Sequence, residues 1–216
     1  MKRRMEFMGD GMDKRLTFNT DAGNYEAYRP TYTKEVFDAI MLYSGLGSTG
    51  HAVEVGIGTG QGTYPFLQSG CQVTAVELGE ELAEYCKNKF KDFEKFSVVN
   101  SAFEDFEVLD VSVDLVYSAT AFHWIPEDVG YSKAVRMLRD GGTLALFWNR
   151  PSISEGPLHE EIQKVYQNYW GSHLSAKPHR QGTYDRILHG MKEHGFKDVR
   201  FELFHTTRSF TAQAYV

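Results

Sequence analysis

The run Val53-Glu54-Val55-Gly56-Ile57-Gly58-Thr59-Gly60-Gln61-Gly62, a short apolar stretch that breaks into alternating glycines, constrains the fold of this chain more than any other feature. The β-branched content of His51 to Val55 predicts a buried strand. The glycines predict a tight turn whose backbone a ligand can approach with no Cβ in the way. A helix is expected from about Gly60. Two ligand classes use such a strand-turn-helix, and spacing separates them. The dinucleotide pattern G-x-G-x-x-G needs a small third residue where helix packs on strand and a pyrophosphate meets the helix N-terminus. Counted from Gly56 and Gly58, that third position is Gln61. The register E-x-G-x-G-x-G is met instead by Glu54, Gly56, Gly58 and Gly60, and its carboxylate suits a ligand with cationic groups rather than a diphosphate.

Glu77 stands twenty-one residues after Gly56, at the end of the apolar run Val73-Thr74-Ala75-Val76. In a β-α-β unit, a carboxylate at the tip of the second strand accepts both hydroxyls of a ribose, a demand shared by every nucleoside cofactor. The alternative is that Glu77 only opens the acidic turn through Glu81. Further on, Phe96 to Val99 and Val113 to Tyr117 read as strands three and four. Glu80 to Phe90 reads as a helix, as does Glu127 to Leu138, with Pro126 at its start, Gly141 and Gly142 closing it and Thr143 to Trp148 as strand five. The alternation of strands and helices is the pattern of a doubly wound parallel sheet.

In this order, Glu54 to Gly62, Glu77, Asn100-Ser101-Ala102-Phe103-Glu104-Asp105, Val113 to Ser118, Phe122-His123-Trp124 and Met137 to Leu144 resemble the class I S-adenosylmethionine-dependent methyltransferases, more narrowly the small-molecule branch of the methyltransferase type 11 kind. The motifs span about half of the chain. The resemblance implies a Rossmann-like sheet of order 3-2-1-4-5 with strand six, here Val199 to Phe204, beyond it. It also implies S-adenosyl-L-methionine as methyl donor and a small-molecule acceptor that the motifs leave unnamed. Glu54 would favour the cationic methionine end, Gly56 to Gly60 would let the turn approach it, and Glu77 would hold the ribose.

The resemblance places the adenine contact at Ser101, Ala102 and Phe103. Where the family has Asp this chain has Ser101, so recognition of the exocyclic amine would lean on backbone or on Glu104. Phe103 covers the purine or belongs to the core. Small residues from Ser118 onward leave room for the methionine tail, with His123 and Trp124 facing the acceptor. His123 is then a general base or a loop-holding histidine. Tyr25, Tyr28 and Arg29 either lie over the methionine end and the substrate entrance or form a hydrophobic staple for a helix capped by Thr33, with Val36, Phe37, Ile40 and Met41 on its apolar face.

Composition agrees with one soluble globular domain, since 216 residues with 42% apolar side chains bury a sizeable core. A net charge of -6 argues against a partner held through its nucleic-acid phosphates. The two cysteines, Cys71 and Cys86, have no metal spacing, and His173, His179, His189 and His194 form no metal motif, so no metal is expected. A reducing cytoplasm is the simplest setting. The sequence has no apolar stretch of membrane-spanning length and no apolar signal core near Met1.

Residues 1–16 are polar, unpatterned and expected to be mobile. Residues 151–182, after strand five, read as an insertion or lid containing an amphipathic helix from Pro157 to Trp170. Tyr184 to His194 reads as a helix stopped by Gly195, and Phe210 to Val216 as the opening of another. The family closes with a further helix and a seventh strand, which the sequence as it stands lacks. Two competing functions share parts of this pattern. A nicotinamide oxidoreductase would use the sheet and Glu77 but is disfavoured by Gln61, and a non-catalytic S-adenosylmethionine binder would use every cofactor motif.

Overall fold

The computed structural model describes residues 30–150, 156–170, 181–207 and 211. The expectations for residues 1–16, Tyr25, Tyr28 and Arg29 lie outside the described residues, as do those for His173 and His179, for parts of the 151–182 insertion and, Thr211 apart, for the helix from Phe210. Five strands pair in parallel: β1 His51–Val55, β2 Gln72–Glu77, β3 Phe96–Asn100, β4 Val113–Ala119 and β5 Leu138–Phe147. Their order is β3-β2-β1-β4-β5, as the sequence implied. Helix α1, Lys34–Ser44, precedes the sheet, and α2 Tyr64–Gln68, α3 Glu80–Lys89 and α4 Glu127–Met137 fill the crossovers.

Central β1 explains the glycine run. Ala52, Val53 and Val55 are buried, as an inner parallel strand covered on both faces requires, and the register sets Ala52 beside Val73 on β2 and Leu115 on β4. The strand therefore delivers Gly56 to the carboxyl edge between two neighbours, where open α/β sheets bind ligands. Helix α1 docks through Phe37, whose ring meets Phe66 at 5.7 Å and Phe147 at 5.9 Å, edge on. The helix stops at Gly45, whose φ of 63° is open to glycine and whose N–H returns to the Met41 carbonyl.

Several local expectations change. Thr33 sits at the N-cap of α1, but its hydroxyl makes no capping bond, and the first turn is closed by the Val36 N–H on the Thr33 carbonyl. The short helix read from the sequence at Thr63 to Gln68 forms as Tyr64–Gln68, reached from the glycine run through hydrogen-bonded turns in which Gly60 donates to the Ile57 carbonyl and Thr63 to that of Gly60. Gly141 and Gly142 do not close α4, which ends at Met137. They lie within β5, where the pairing with β4 shifts register between Val113 and Leu115. Gly141 has φ 75°, and a Cβ on Gly142 would fall 2.9 Å from the Arg139 carbonyl oxygen, so the irregular strand accepts only residues without one.

The sixth strand expected at Val199–Phe204 does not form: these residues pair with no strand of the described sheet, and Phe201, Leu203 and Phe204 are exposed. Alternating apolar residues favour an extended chain but carry no instruction about which edge it joins.

The chain divides into two compact units, one reaching Phe147 and resuming at Leu203, the other Trp148–Glu202. The second contains α5 Pro157–Trp170 and α6 Gln181–Glu193. After α6 the chain turns at Gly195, φ 92°, whose N–H meets the Lys192 carbonyl while that of Phe196 meets Met191, and Tyr184 stacks on Phe201 at 4.3 Å. No helix among the described residues is long and apolar enough to cross a membrane, and among them no cluster of three or more His, Cys, Asp or Glu is placed to hold a metal.

Candidate active site

A cavity opens at the carboxyl ends of β1, β2 and β4, within the first unit. One wall comes from the β1 turn and the tip of β2. Glu77 is only 8% exposed, its Oε2 accepting the Gly58 N–H at 2.8 Å and its Oε1 the Gly79 N–H at 2.9 Å. Burial pushes this carboxyl above the usual carboxylate range, opposed by the N–H groups of Gly79, Gly58 and Leu78. Its main chain is held as well. The Glu77 carbonyl accepts from the Asn100 amide at 2.9 Å and from the Ser101 N–H, and the Asn100 amide also reaches the Leu78 carbonyl. Each carboxylate oxygen has lone-pair capacity beyond its one backbone bond, the property that ribose hydroxyls require.

The glycines divide by task. Gly58, at φ 56°, lines the cavity and orients Glu77. Gly56, at φ 71°, also lines it, and a Cβ there would fall 2.5 Å from that of Ala121. Gly60 lies away from the cavity lining, and a Cβ on it would meet the Phe90 ring at 2.4 Å, so packing on α3 excludes any side chain.

Glu54 is wholly buried and does not line the cavity. Its Oε2 accepts the Thr63 hydroxyl at 2.7 Å and the Tyr117 hydroxyl at 2.9 Å, while Oε1 has no hydrogen-bond partner among the described residues. Desolvation pushes its carboxyl up to about 7 despite the Thr63 and Tyr117 hydrogen bonds, with Glu77 adding repulsion. A Cβ on Gly62 would sit 3.2 Å from that unpartnered oxygen and 3.0 Å from the Ala119 Cβ. Among the described residues this oxygen therefore meets neither a donor nor the cavity, and the carboxyl sits behind the glycine turn.

Opposite the glycine turn, Leu78 and Leu82 face the cavity together with Phe103 and Ile125, supplying the apolar surfaces a purine needs. Ser101 lines it too, with its hydroxyl donated to the Ala102 carbonyl. Ala102 and Ser118 do not line it. The Ala102 carbonyl closes turns with Asp105 and Phe106, and the buried Ser118 hydroxyl donates to the Val55 carbonyl, tying β4 to β1. Glu104 is also absent from the lining.

The remaining wall follows β4. Thr120 has φ 60°, a strained conformation for a β-branched residue. It is held by its N–H on the Phe147 carbonyl and by a 2.6 Å hydrogen bond between its hydroxyl and that of Tyr32, whose ring stands edge-on to Phe147 at 4.8 Å. Past it, a short 3-10 turn over Phe122–Trp124 presents His123 and Trp124, both exposed and lining the cavity, with their rings 5.1 Å apart. Of the expected site residues, the structure therefore brings together Gly56, Gly58, Glu77, Ser101, Phe103, His123 and Trp124. Leu78, Leu82, Thr120 and Ile125 join them without having been singled out. Leu78 and Leu82 carried a signal in their position directly after Glu77, whereas the strain at Thr120 carried none.

Residues 53–146 match the family model of the methyltransferase domain. An uncharacterized methyltransferase-like protein of Schizosaccharomyces pombe is 29% identical over 200 residues, covering 91% of this chain and 73% of the relative. Among solved structures, a chain from Methanococcus maripaludis described as an S-adenosyl-L-methionine-dependent methyltransferase superposes with a TM-score of 0.62 at 16% identity, covering 87% of this chain and 88% of that one. A phosphoethanolamine N-methyltransferase of Haemonchus contortus, solved with phosphomonomethylethanolamine and S-adenosylhomocysteine, superposes at 0.54 and 17% identity, covering 76% of this chain and 37% of that one.

Proposed function

We propose that this chain, whose residues 53–146 match the methyltransferase domain, is a class I S-adenosylmethionine-dependent methyltransferase whose cavity holds the adenosyl donor with the ribose on Glu77 and passes the methyl group to a small-molecule acceptor beside His123 and Trp124. One observation carries the reading: the Glu77 carboxylate, fixed by two backbone N–H groups, stands in the same cavity as Leu78, Leu82, Phe103 and Ile125. A nucleoside needs that combination of sugar acceptor and apolar surfaces.

When bound, S-adenosylmethionine supplies an electrophilic methyl carbon, so transfer is a one-step in-line displacement with no covalent help from the protein. The work left to this chain is alignment and exclusion of water. Glu77 orients the ribose, Gly56 and Gly58 admit the ligand to the turn, and Glu54, buried behind that turn, favours the cationic methionine end through its charge rather than by contact. Thr120 and Ala121 shape the passage from the glycine turn to the acceptor side. His123 takes a proton from acceptors that must lose one. The roles that the resemblance implies for Tyr25, Tyr28 and Arg29 at the methionine end and the acceptor entrance fall outside the described residues. Cys71 and Cys86 are buried thiols, donating to the Phe66 and Gly58 carbonyls, which supports a reducing, cytoplasmic setting.

Isothermal titration with S-adenosylhomocysteine against NADH tests the cofactor assignment, and binding of NADH alone would refute it. A panel of carboxylic acids, phenols, quinones and amines, screened for S-adenosylhomocysteine production, tests the acceptor class. Methylation confined to protein or nucleic acid would overturn the small-molecule assignment.

A further inference from the structure

We propose that Lys133 is a positioning residue that sets the affinity for the adenine half of the donor by holding Phe103 in the cavity wall. The inference rests on the adenosyl reading above. Lysine is seldom buried, because its long stem lets the ammonium reach water. Lys133 is 8% exposed on the inner face of α4, between Gly130 and Tyr131 on one side and Ala134 and Met137 on the other. Its ammonium donates to the Glu104 carbonyl at 2.8 Å and stands 5.5 Å from the centroid of the Phe103 ring.

Both contacts fall on residues 101–106, which form turns rather than helix or strand between β3 and β4. Within this segment the Ala102 carbonyl receives the Asp105 and Phe106 N–H groups, and the Ser101 hydroxyl is turned back on it. The Lys133 ammonium ties it across to α4. Phe103, 4% exposed, both lines the cavity and packs on Phe122 at 6.4 Å, and Phe122 rests on Tyr131 of the same helix at 5.4 Å. A Cβ on Gly130 would press within 2.9 Å of the Phe122 ring, so α4 lies close against this aromatic pair. One helix thus supports Phe103 from two sides, by a ring contact and by a charge.

Removing the charge frees the Glu104 carbonyl and removes the cation from the ring. An incoming purine would then have to order the segment as it binds, and affinity falls by the lost preorganisation. The acceptor wall at His123 and Trp124 is not touched by Lys133 in any described contact, so the effect belongs to donor binding.

The test is a double-mutant cycle on the full chain, read by titration with S-adenosylhomocysteine and accompanied by thermal melts. Lys133→Met is expected to weaken binding by about 10-fold, the scale of a lost charged hydrogen bond. Lys133→Arg, which keeps a cation and a donor, is expected to restore most of it. In a Phe103→Leu background the same Lys133→Met change is expected to matter by less than about 3-fold, since the ring it acts through is gone. If Lys133→Met fails to fold, Lys133→Gln takes its place in the cycle. A lower melting temperature with unchanged affinity, or an equal loss of affinity with and without Phe103, would overturn the positioning role. A wild-type chain that does not bind S-adenosylhomocysteine would instead overturn the adenosyl reading, and this inference with it.

Discussion

Glu77 and His123 line one cavity, yet their surroundings are opposites. Glu77 is nearly buried, with each oxygen on a backbone N–H and its main chain clamped by Asn100, whereas His123 is exposed on a three-residue turn beside a Trp124 that is 41% exposed. In the proposed reading the donor side is built from main-chain groups and one buried carboxyl, hydrogen-bonded in place before any ligand arrives. Side chains on a short turn after the strained Thr120 make up the acceptor side. A shared donor can be met by fixed geometry, while an acceptor peculiar to one enzyme is met by replaceable side chains on a rigid support.

The most severe test of this contrast is Gly58→Val. Its φ of 56° disfavours a β-branched residue, and the new side chain would enter the cavity lining beside Glu77. Affinity for S-adenosylhomocysteine is expected to drop beyond ~100-fold, measured by titration with circular dichroism to confirm folding. Tight binding by the folded variant would break the donor-wall model.

On the acceptor side, His123→Ala is expected to slow methyl transfer by ~10²-fold at neutral pH and to leave donor affinity nearly intact. The wild-type rate should fall on acidification as the imidazole takes up a proton and ceases to act as a base. Loss of donor affinity together with rate would show that the two walls are not separable and that His123 serves structure.

Glu77→Ala is expected to weaken S-adenosylmethionine binding by about 10- to 100-fold, the scale of lost charged hydrogen bonds, while the fold survives. Glu77→Gln sharpens the point by keeping one acceptor for the Gly58 or Gly79 N–H. An unchanged dissociation constant in the alanine variant would remove the ribose assignment.

The smallest effect concerns Glu54, whose carboxyl is raised from its ordinary range to about 7 by burial. Between its unfolded value and about 7 the folded chain holds more protons than the unfolded one, so this group's contribution to stability falls as pH rises through that window. The destabilisation is fully present above it and absent below it. Glu54→Gln should flatten that part of the melting-temperature profile from pH 4.5 to 7.5. A cationic ligand in the neighbouring cavity should draw the carboxyl down through its charge and release a proton on binding, which calorimetry in buffers of different ionisation enthalpy would detect. An identical profile in the variant would show that Glu54 is not the group responsible.

Much of the cavity wall around Glu77 was legible because its demands are local. The glycine spacing after an apolar strand, and a carboxylate at the tip of the next one, are consequences of what a β-α-β unit places at its carboxyl edge. The strand order was what the resemblance to the methyltransferases implied. The division of labour among the glycines was not legible, because Gly60 answers to Phe90 and Gly56 to Ala121, contacts made across 30 and 65 residues of chain. Nor was the breakdown of Gly141 and Gly142 as a helix stop, since a cap and a strand irregularity ask for the same residue type. Val199–Phe204 shows the same ambiguity, with a pattern that fits a strand and no partner in the described sheet.

By itself the sequence determined the alternation of strands and helices, the turn at Gly56–Gly58 and the place of Glu77 at the tip of a strand, because strand burial and backbone sterics act between near neighbours in the chain. Only the tertiary structure decided that Glu54 would lie buried with one oxygen unpartnered, that Tyr32 would brace Thr120 from 88 residues away, and that Lys133 would stand over Phe103. Those outcomes depend on which side chains meet when the helices close on the sheet, and local periodicity carries no record of such meetings.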